Sequence, residues 1–159
     1  MPKTEGNVLV IGIGNELRGD DAAGIVVARR IRERHLPGVR VLEHGGEGAS
    51  LMEAWTGAQS VFIVDTVVSG SAPGAIHRFD AARQRLPAQA FQSSTHAFGL
   101  REAVEVARAL NLLPTRLVIY GIEGKSFAVG EEISAELEQA ATRVSERVLG
   151  EVATTDLAP

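Results

Sequence analysis

Cysteine is absent from the 159-residue chain. Disulfides, thiol nucleophiles, cysteine-ligated zinc and iron–sulfur clusters are thereby excluded, and carboxylate and imidazole remain as the metal-binding side chains. Long apolar runs are missing as well. Stretches such as Val8 to Ile13 are strand-sized, well short of the roughly 20 residues that a spanning helix needs, and the N-terminus shows no signal-peptide apolar region. An excess of positive charge is also lacking: 16 Lys plus Arg stand against 20 Asp plus Glu, a formal charge of −4. A net acidic chain lacks the overall electrostatic footprint that nucleic-acid phosphates require. Neither nucleic acid nor membrane is therefore an expected partner, and a cytoplasmic location is the expectation. The length fits a single domain over 1–159, able to bury roughly 70% of the surface its unfolded chain exposes. Its core is expected over about 7–149, with flexible tails at 1–6 and 153–159.

Familiar catalytic and phosphate-binding templates fail too. There is no Gly-x-Ser-x-Gly elbow and no His-Glu-x-x-His helix. Gly12-Ile13-Gly14 begins like a dinucleotide fingerprint, but Leu17 stands where the third glycine belongs, and Asp20-Asp21 would repel a phosphate at the helix start. Gly124-Lys125-Ser126 lacks the upstream glycine of a phosphate loop, its place being taken by Ile119.

What is present is an alternation. Val/Ile-rich runs at Asn7 to Ile13, Val39 to Leu42, Ser60 to Val67 and Arg116 to Ile122 read as strands. Helical periodicity covers Ala22 to His35, with Ile25, Val26 and Ile31 inward, and Leu100 to Leu110, with Ala103, Val106 and Leu110 inward. A shorter helix fits Ala49 to Trp55, and a last one fits Ser134 to Leu149, with Ser134 as N-cap and Leu137, Ala141, Val144 and Val148 as its apolar stripe. Gly74 to Phe79 follows a Gly/Ser/Pro turn and reads as an edge strand antiparallel to Ser60 to Val67. Ala81 to Thr95 is expected to be a long loop. The pattern predicts an α/β protein, a three-layer α/β/α arrangement with a mainly parallel sheet.

Five acids and the histidines are the candidates for chemistry. Asp20 and Asp21 fall where a loop enters a helix; capping accounts for one acid, and the second is free to point over the strand ends. Asp65 closes the run Val61-Phe62-Ile63-Val64, at the carboxyl end of a central strand, where ligands of open α/β sheets bind; it reads equally well as a turn acid bonded by Thr66 or Val67. His35, His44 and His77 have ordinary places at a helix end, in a glycine loop and in the edge strand. His96 lies directly before a helix, at the same rim of the sheet, or else exposed beside a cap made by Ser94 or Thr95. Asp21, Asp65 and His96 together would offer two oxygen ligands and one nitrogen, suited to zinc or nickel with open positions. Glu43, His44 and Glu47 form a further polar loop, able to contact substrate or simply be solvated.

The ordered set GIGNELRGDDAAG, HGGEGASLMEAW, FIVDTVVSG, PGAIHRFD, SSTHAFGL and LVIYGIEG, spread from Val8 to Leu149, resembles the hydrogenase maturation endopeptidases. The resemblance implies a twisted, mainly parallel five-stranded sheet and an aspartic-type endopeptidase. Such an enzyme activates its partner, a nickel-iron hydrogenase large-subunit precursor, by cutting off a C-terminal extension once nickel is inserted. It maps the family's metal-contacting and catalytic positions onto Asp21, Asp65 and His96, with nickel supplied by the substrate and zinc or another divalent ion as a surrogate. The same resemblance implies hydrogenase assembly chaperones as further partners, and a monomer is expected. The chain departs from better-known members at His44-Gly45-Gly46-Glu47, where Asp-Gly-Gly-Thr is usual, and at Ala97, where a polar residue is common; these changes bear on the hydrogenase subclass served. Two competing readings are a non-catalytic nickel or nucleotide carrier and a peptidyl-tRNA-hydrolase-like esterase, although the proline expected after Gly-x-Gly-Asn in the latter is Glu16 here.

Overall fold

The computed structural model describes residues 7–88, 91 and 97–155. In chain order these form β1 (Val8–Ile13), α1 (Ala23–Arg32), β2 (Val39–His44), α2 (Gly48–Trp55), β3 (Ser60–Val67), β4 (Ile76–Asp80), α3 (Leu100–Ala109), β5 (Arg116–Glu123) and α4 (Ala135–Thr154). Nearly every residue of β1, β3 and β5 is buried, as continuous apolar strands must be when helices cover both faces of a sheet. Their side chains alternate between two cores. Val8, Val10, Phe62, Val64 and Val118 pack with Val27, Ile31, Leu137, Val144 and Val148 from α1 and α4. Leu9, Ile11, Val61, Ile63, Leu117 and Ile119 pack with Leu51, Trp55, Leu100 and Val104 from α2 and α3. The result is the expected three-layer α/β/α architecture. Among the described residues, no helix is long and apolar enough to cross a membrane.

The strand order is β2-β1-β3-β5-β4. β1 pairs in parallel with β2 and β3, and β3 with β5, while β4 runs antiparallel to β5. From β1 the chain goes first to one side and then to the other, so a crevice opens between the carboxyl ends of β1 and β3. Open α/β sheets bind ligands at such a switch point.

Several expectations need correction. β4 is an edge strand, but its neighbour is β5 rather than Ser60 to Val67. β5 is apolar on both faces and buried, so it takes the inner position, whereas β4 carries His77 and Arg78 and is only partly covered, as an edge strand can be. In α3 the inward residues are Leu100, Ala103, Val104 and Ala107, while Val106 and Leu110 are 37% and 59% exposed. The helix is short, and its apolar stripe is set by the contact with α2 rather than by every apolar side chain it carries. α4 continues through Thr154, past the expected end at Leu149, because Val152 prolongs the apolar stripe and Glu151 takes bonds from Tyr120, Arg78 and Arg116. Ser134 does occupy its N-cap, but its hydroxyl makes no capping bond. Of the tails expected at 1–6 and 153–159, Ala153 and Thr154 belong instead to α4, while 1–6 and 156–159 lie outside the described residues, as do 89–90 and 92–95 of the loop expected from Ala81 to Thr95.

The glycines of the first motif have a packing role. A Cβ on Gly12 would lie 2.1 Å from the Gly24 carbonyl oxygen, and one on Gly24 would lie 2.3 Å from the Ile13 oxygen and 2.5 Å from the Val64 oxygen. The first turn of α1 therefore rests directly on the backbone of β1 and β3. Gly12→Ala or Gly24→Ala is expected to cost about 2 kcal/mol or more, because backbone cannot yield to the added methyl. Gly150→Ala, in open space on α4, should instead stabilise by about 0.5–1 kcal/mol. Urea unfolding midpoints of the three variants check both signs.

Candidate functional site

A cleft of about 540 Å³ opens at the carboxyl ends of β1 and β2, lined by Gly14, Leu17, Arg18, Asp21, Glu43 and His44 among others. The loop leaving β1 is built by short-range bonds. Asn15 Oδ1 accepts the Leu17 amide at 2.9 Å, and the Asn15 carbonyl accepts the Arg18 amide at 3.2 Å. A 3-10 turn then spans Gly19–Ala22 and hands the chain to α1. The Asn15 amide closes the loop on the Asp21 carbonyl at 3.2 Å, which fixes Asp21 at the cleft.

The acids at this rim have different fates. Asp20 is 1% exposed, and its carboxylate accepts the amides of Lys125 at 2.7 Å, Ser126 at 3.0 Å and Ser134 at 2.8 Å. One acid of the pair is thus consumed, as expected, but it serves the start of α4 and the loop after β5 rather than its own helix. Burial alone would raise its pKa; the amides of Ser134, Ser126 and Lys125 outweigh that and hold it below the ordinary carboxylate value. Glu123, 2% exposed, is likewise satisfied: it takes the Ser69 amide at 2.7 Å, the Ser69 hydroxyl at 2.5 Å and a 3.3 Å contact from His77 Nε2. Burial pushes it up, and these donors bring it below the usual range.

Asp65 is different. Among the described residues its one hydrogen-bond donor is the amide of Thr66, at 2.8 Å. Burial, reinforced by the negative charge of Asp21, pushes its pKa up to about 8. Asp21 is also raised, by burial, against the opposing pull of the Asn15 amide and the Arg18 charge. Of the two readings open for Asp65, the turn bond exists but leaves most of the carboxylate's acceptor capacity unused. The switch point thus holds two mutually repelling, poorly solvated carboxyls, which a shared proton or a cation would relieve.

Glu43 and His44, expected in a loop after the second strand, instead end β2, and Glu47 follows at the start of α2. Glu43 pairs with Arg29 at 2.9 Å and Arg32 at 2.7 Å, and Glu47 caps α2 by accepting the amides of Ala49 and Ser50. His44 Nδ1 accepts the Gly46 amide at 2.9 Å. Ser50 Oγ donates to the Glu47 carbonyl, so it is left to accept from His44 Nε2–H at 3.0 Å. His96 lies outside the described residues. Phe98, two residues further on, is anchored at this loop: its carbonyl accepts the Gly48 amide at 2.8 Å, and its ring fills the space a Gly48 side chain would need. The structure therefore brings Asp21 and Asp65 together. Among the described residues no group of three His, Asp or Glu side chains is placed to hold an ion. Sequence reasoning missed Glu123 and Arg18. Glu123 ends β5 and Asp65 stands two residues before the end of β3, so the strand-end rule that found one acid could have found the other; Arg18 lies within the first motif, where nothing distinguishes it.

An α/β sheet with a carboxyl pair at its switch point is a fold and a site suited to acid–base chemistry or to holding a cation. Comparison with known proteins narrows this to a family. The family model described as HycI, hydrogenase maturation protease, matches residues 25–153, and the chain belongs to that family. It is similar to the hydrogenase expression/formation protein HoxM of Azotobacter vinelandii, 28% identical over 86% of this chain and 70% of the relative. The hydrogenase 2 maturation protease of Escherichia coli is 29% identical over 72% of this chain and 71% of its own. Among solved structures, the [NiFe] hydrogenase maturation protease HybD from Thermococcus kodakarensis superposes with a TM-score of 0.73 at 28% identity, covering 91% of this chain and 97% of that one. The protein is a hydrogenase maturation protease.

The contrast between satisfied and unsatisfied acids predicts opposite pH behaviour. Asp20 has a folded pKa below its ordinary 3.8, so its stabilisation is complete above that value and is lost as pH falls through the folded one. Asp20→Asn should cost about 2 kcal/mol at neutral pH and flatten the acid limb of the stability curve. Asp65, raised from 3.8 to about 8, favours the fold when protonated, so stability erodes as pH climbs between those values. Asp65→Asn should therefore be more stable than wild type near pH 8 and lose that advantage near pH 4. Urea unfolding across this range, with chelator present, checks both.

Proposed function

We propose that this protease removes the C-terminal extension of a nickel-iron hydrogenase large-subunit precursor after nickel insertion, and that Asp21, Asp65 and His96 contact the nickel that the precursor carries. The observation that supports this best is the unsatisfied pair Asp21 and Asp65 at the switch point, with Asp65 pushed up to about 8. A divalent cation is the ligand such a pair lacks, and carboxylate oxygens with an imidazole nitrogen form a donor set that nickel accepts. Nickel here is cargo of the substrate. Its arrival displaces the proton from Asp65, lets both carboxylates ionise and seats the precursor beside the cleft. Docking then reports that the metal has been loaded. The names of the relatives, hydrogenase maturation and formation proteins, agree with a hydrogenase precursor as partner. A cytoplasmic monomer, aided by hydrogenase assembly chaperones, completes the reading.

A second reading is favoured by the same raised pKa. One protonated and one ionised carboxyl, held close, can share acid and base duties toward a water molecule, as in aspartic-type peptidases. The two readings differ in what nickel does: in the first it licenses docking, and in the second the carboxyls carry the proton transfers themselves.

The test is the intact mass of the precursor after incubation with purified protein, with and without nickel. Asp21→Ala, Asp65→Ala and His96→Ala are each expected to lower cleavage by about 100-fold or more while the circular dichroism spectrum stays unchanged. Loss of the peptide only from nickel-loaded precursor supports the licensing role. Nickel-independent trimming sinks it and keeps the aspartic-type reading. If all three variants process normally, the site is elsewhere.

A further inference from the structure

The mouth of the cleft carries another unsatisfied group. Arg18 lines it beside Asp21, and its Nε is buried with no hydrogen-bond partner. Neighbouring charges are already paired. Arg29 bonds Glu16 at 2.8 Å and Glu43 at 2.9 Å, and Arg32 bonds Glu43 at 2.7 Å. The side chain of Arg18, by contrast, makes no hydrogen bond or ion pair with any described residue. A buried donor without an acceptor costs free energy that an incoming acceptor recovers.

The backbone around Arg18 is held in place. The Leu17 carbonyl accepts the Gly130 amide at 2.8 Å, the Gly19 amide donates to the Glu131 carbonyl at 3.1 Å, and the Asp20 amide donates to the Ser126 carbonyl at 2.8 Å. The loop after β1 and the loop after β5 are thus laced together, and Asp20 locks the second through its carboxylate. On these joined loops Leu17 is 66% exposed and Val129 is 74% exposed. One exposed apolar side chain needs no explanation. Two of them on cross-linked loops, beside a guanidinium that feels the Asp21 charge but whose Nε no described residue bonds, make a preorganised surface that continues from the cleft lining at Leu17 and Arg18.

We propose that Leu17, Arg18 and Val129 form the docking rim for the peptide segment the enzyme cuts, with Arg18 receiving an acidic side chain of that segment and the two apolar residues its aliphatic neighbour. The inference rests on the precursor reading above. Continuity identifies the occupant: Leu17 and Arg18 line the same cleft as Asp21, so a segment reaching the acid pair passes over them. Charge identifies the contact. Asp21 and Asp65 repel an anion, so an acidic side chain is held where Arg18 offers a planar, bidentate donor, and this sets the register of the peptide in the cleft.

Steady-state cleavage of nickel-loaded precursor tests the proposal, with wild type, Arg18→Ala, Arg18→Lys and the double variant Leu17→Ser/Val129→Ser. Arg18→Ala should raise KM about tenfold with kcat within about twofold, and Arg18→Lys should recover part of the loss. Exchanging the acids of the extension for amides should raise KM for wild type but not for Arg18→Ala, the mark of a direct contact. The double variant should raise KM about fivefold. Equal KM for wild type and Arg18→Ala, or independent effects of the enzyme and substrate changes, overturns the proposal. So does a double variant that turns a dimer into a monomer on size exclusion with KM unchanged, since the surface would then serve a second copy of the chain. If wild type leaves the precursor uncut, the function reading fails on its own. Fluorescence anisotropy with a labelled peptide of the extension then decides this one: weaker binding to Arg18→Ala supports it, and equal binding refutes it.

Discussion

The carboxylate of Asp20 is the interaction on which the rest of the site depends. Its oxygens gather the amides of Lys125, Ser126 and Ser134, and its own carbonyl accepts the Thr66 hydroxyl at 2.9 Å. One residue therefore joins the loop after β1, the end of β3, the loop after β5 and the start of α4. These segments are far apart in sequence, and Asp20 meets all four, while the backbone bonds of Leu17 to Gly130, Gly19 to Glu131 and Val67 to Gly124 complete the same frame at the sheet's carboxyl rim. With Asp20 turned inward to make these bonds, the next residue is placed at the cleft. The glycine contact beneath α1 completes the constraint, because the helix start sits directly on the strands that end beneath Asp21 and Asp65.

Within that frame, the chemistry follows from which acids find donors. Asp20 and Glu123 are more deeply buried than Asp65 by their exposure, yet both are held ionised, because amides, a hydroxyl and an imidazole meet them. Asp65 has one amide and a negatively charged neighbour, and burial of that kind favours the neutral form. Burial alone therefore does not separate satisfied from unsatisfied acids here. The count of donors does, and it singles out the pair at the switch point.

Much of this was legible in the chain. The continuous apolar runs of β1, β3 and β5 could only be strands covered on both faces, and the stripe on α4 gave its inward side. Asp65 was found because an acid closing an apolar strand stands at a predictable place in an open sheet, and the two adjacent acids announced that one would be left over. Other features depend on contacts that no local pattern encodes. The neighbour of β4 was decided by competition for the edge of β3, which β5 won through its apolar faces. The partners of Asp20 lie over 100 positions away, so capping of its own helix was the only role visible nearby. Arg18 lies within the first motif but nothing there distinguishes it, and what marks it is a buried Nε with no acceptor, which exists only in three dimensions.

The acid pair also illustrates a conflict between stability and function. Two carboxyls forced together at neutral pH subtract from the stability of the metal-free protein, and replacing either with an amide would relieve it. A fold that retains them gains a difference between empty and occupied states: the repulsion is present when no cation sits between them and vanishes when one does. On the reading proposed here, that difference is the discriminating signal. Acids already satisfied by local donors, as Asp20 and Glu123 each are, would meet loaded and unloaded precursors alike and could not tell them apart. The poor solvation of Asp65 is then the property that makes a metal check possible, and the rigidity supplied by Asp20 keeps the pair from relaxing out of it.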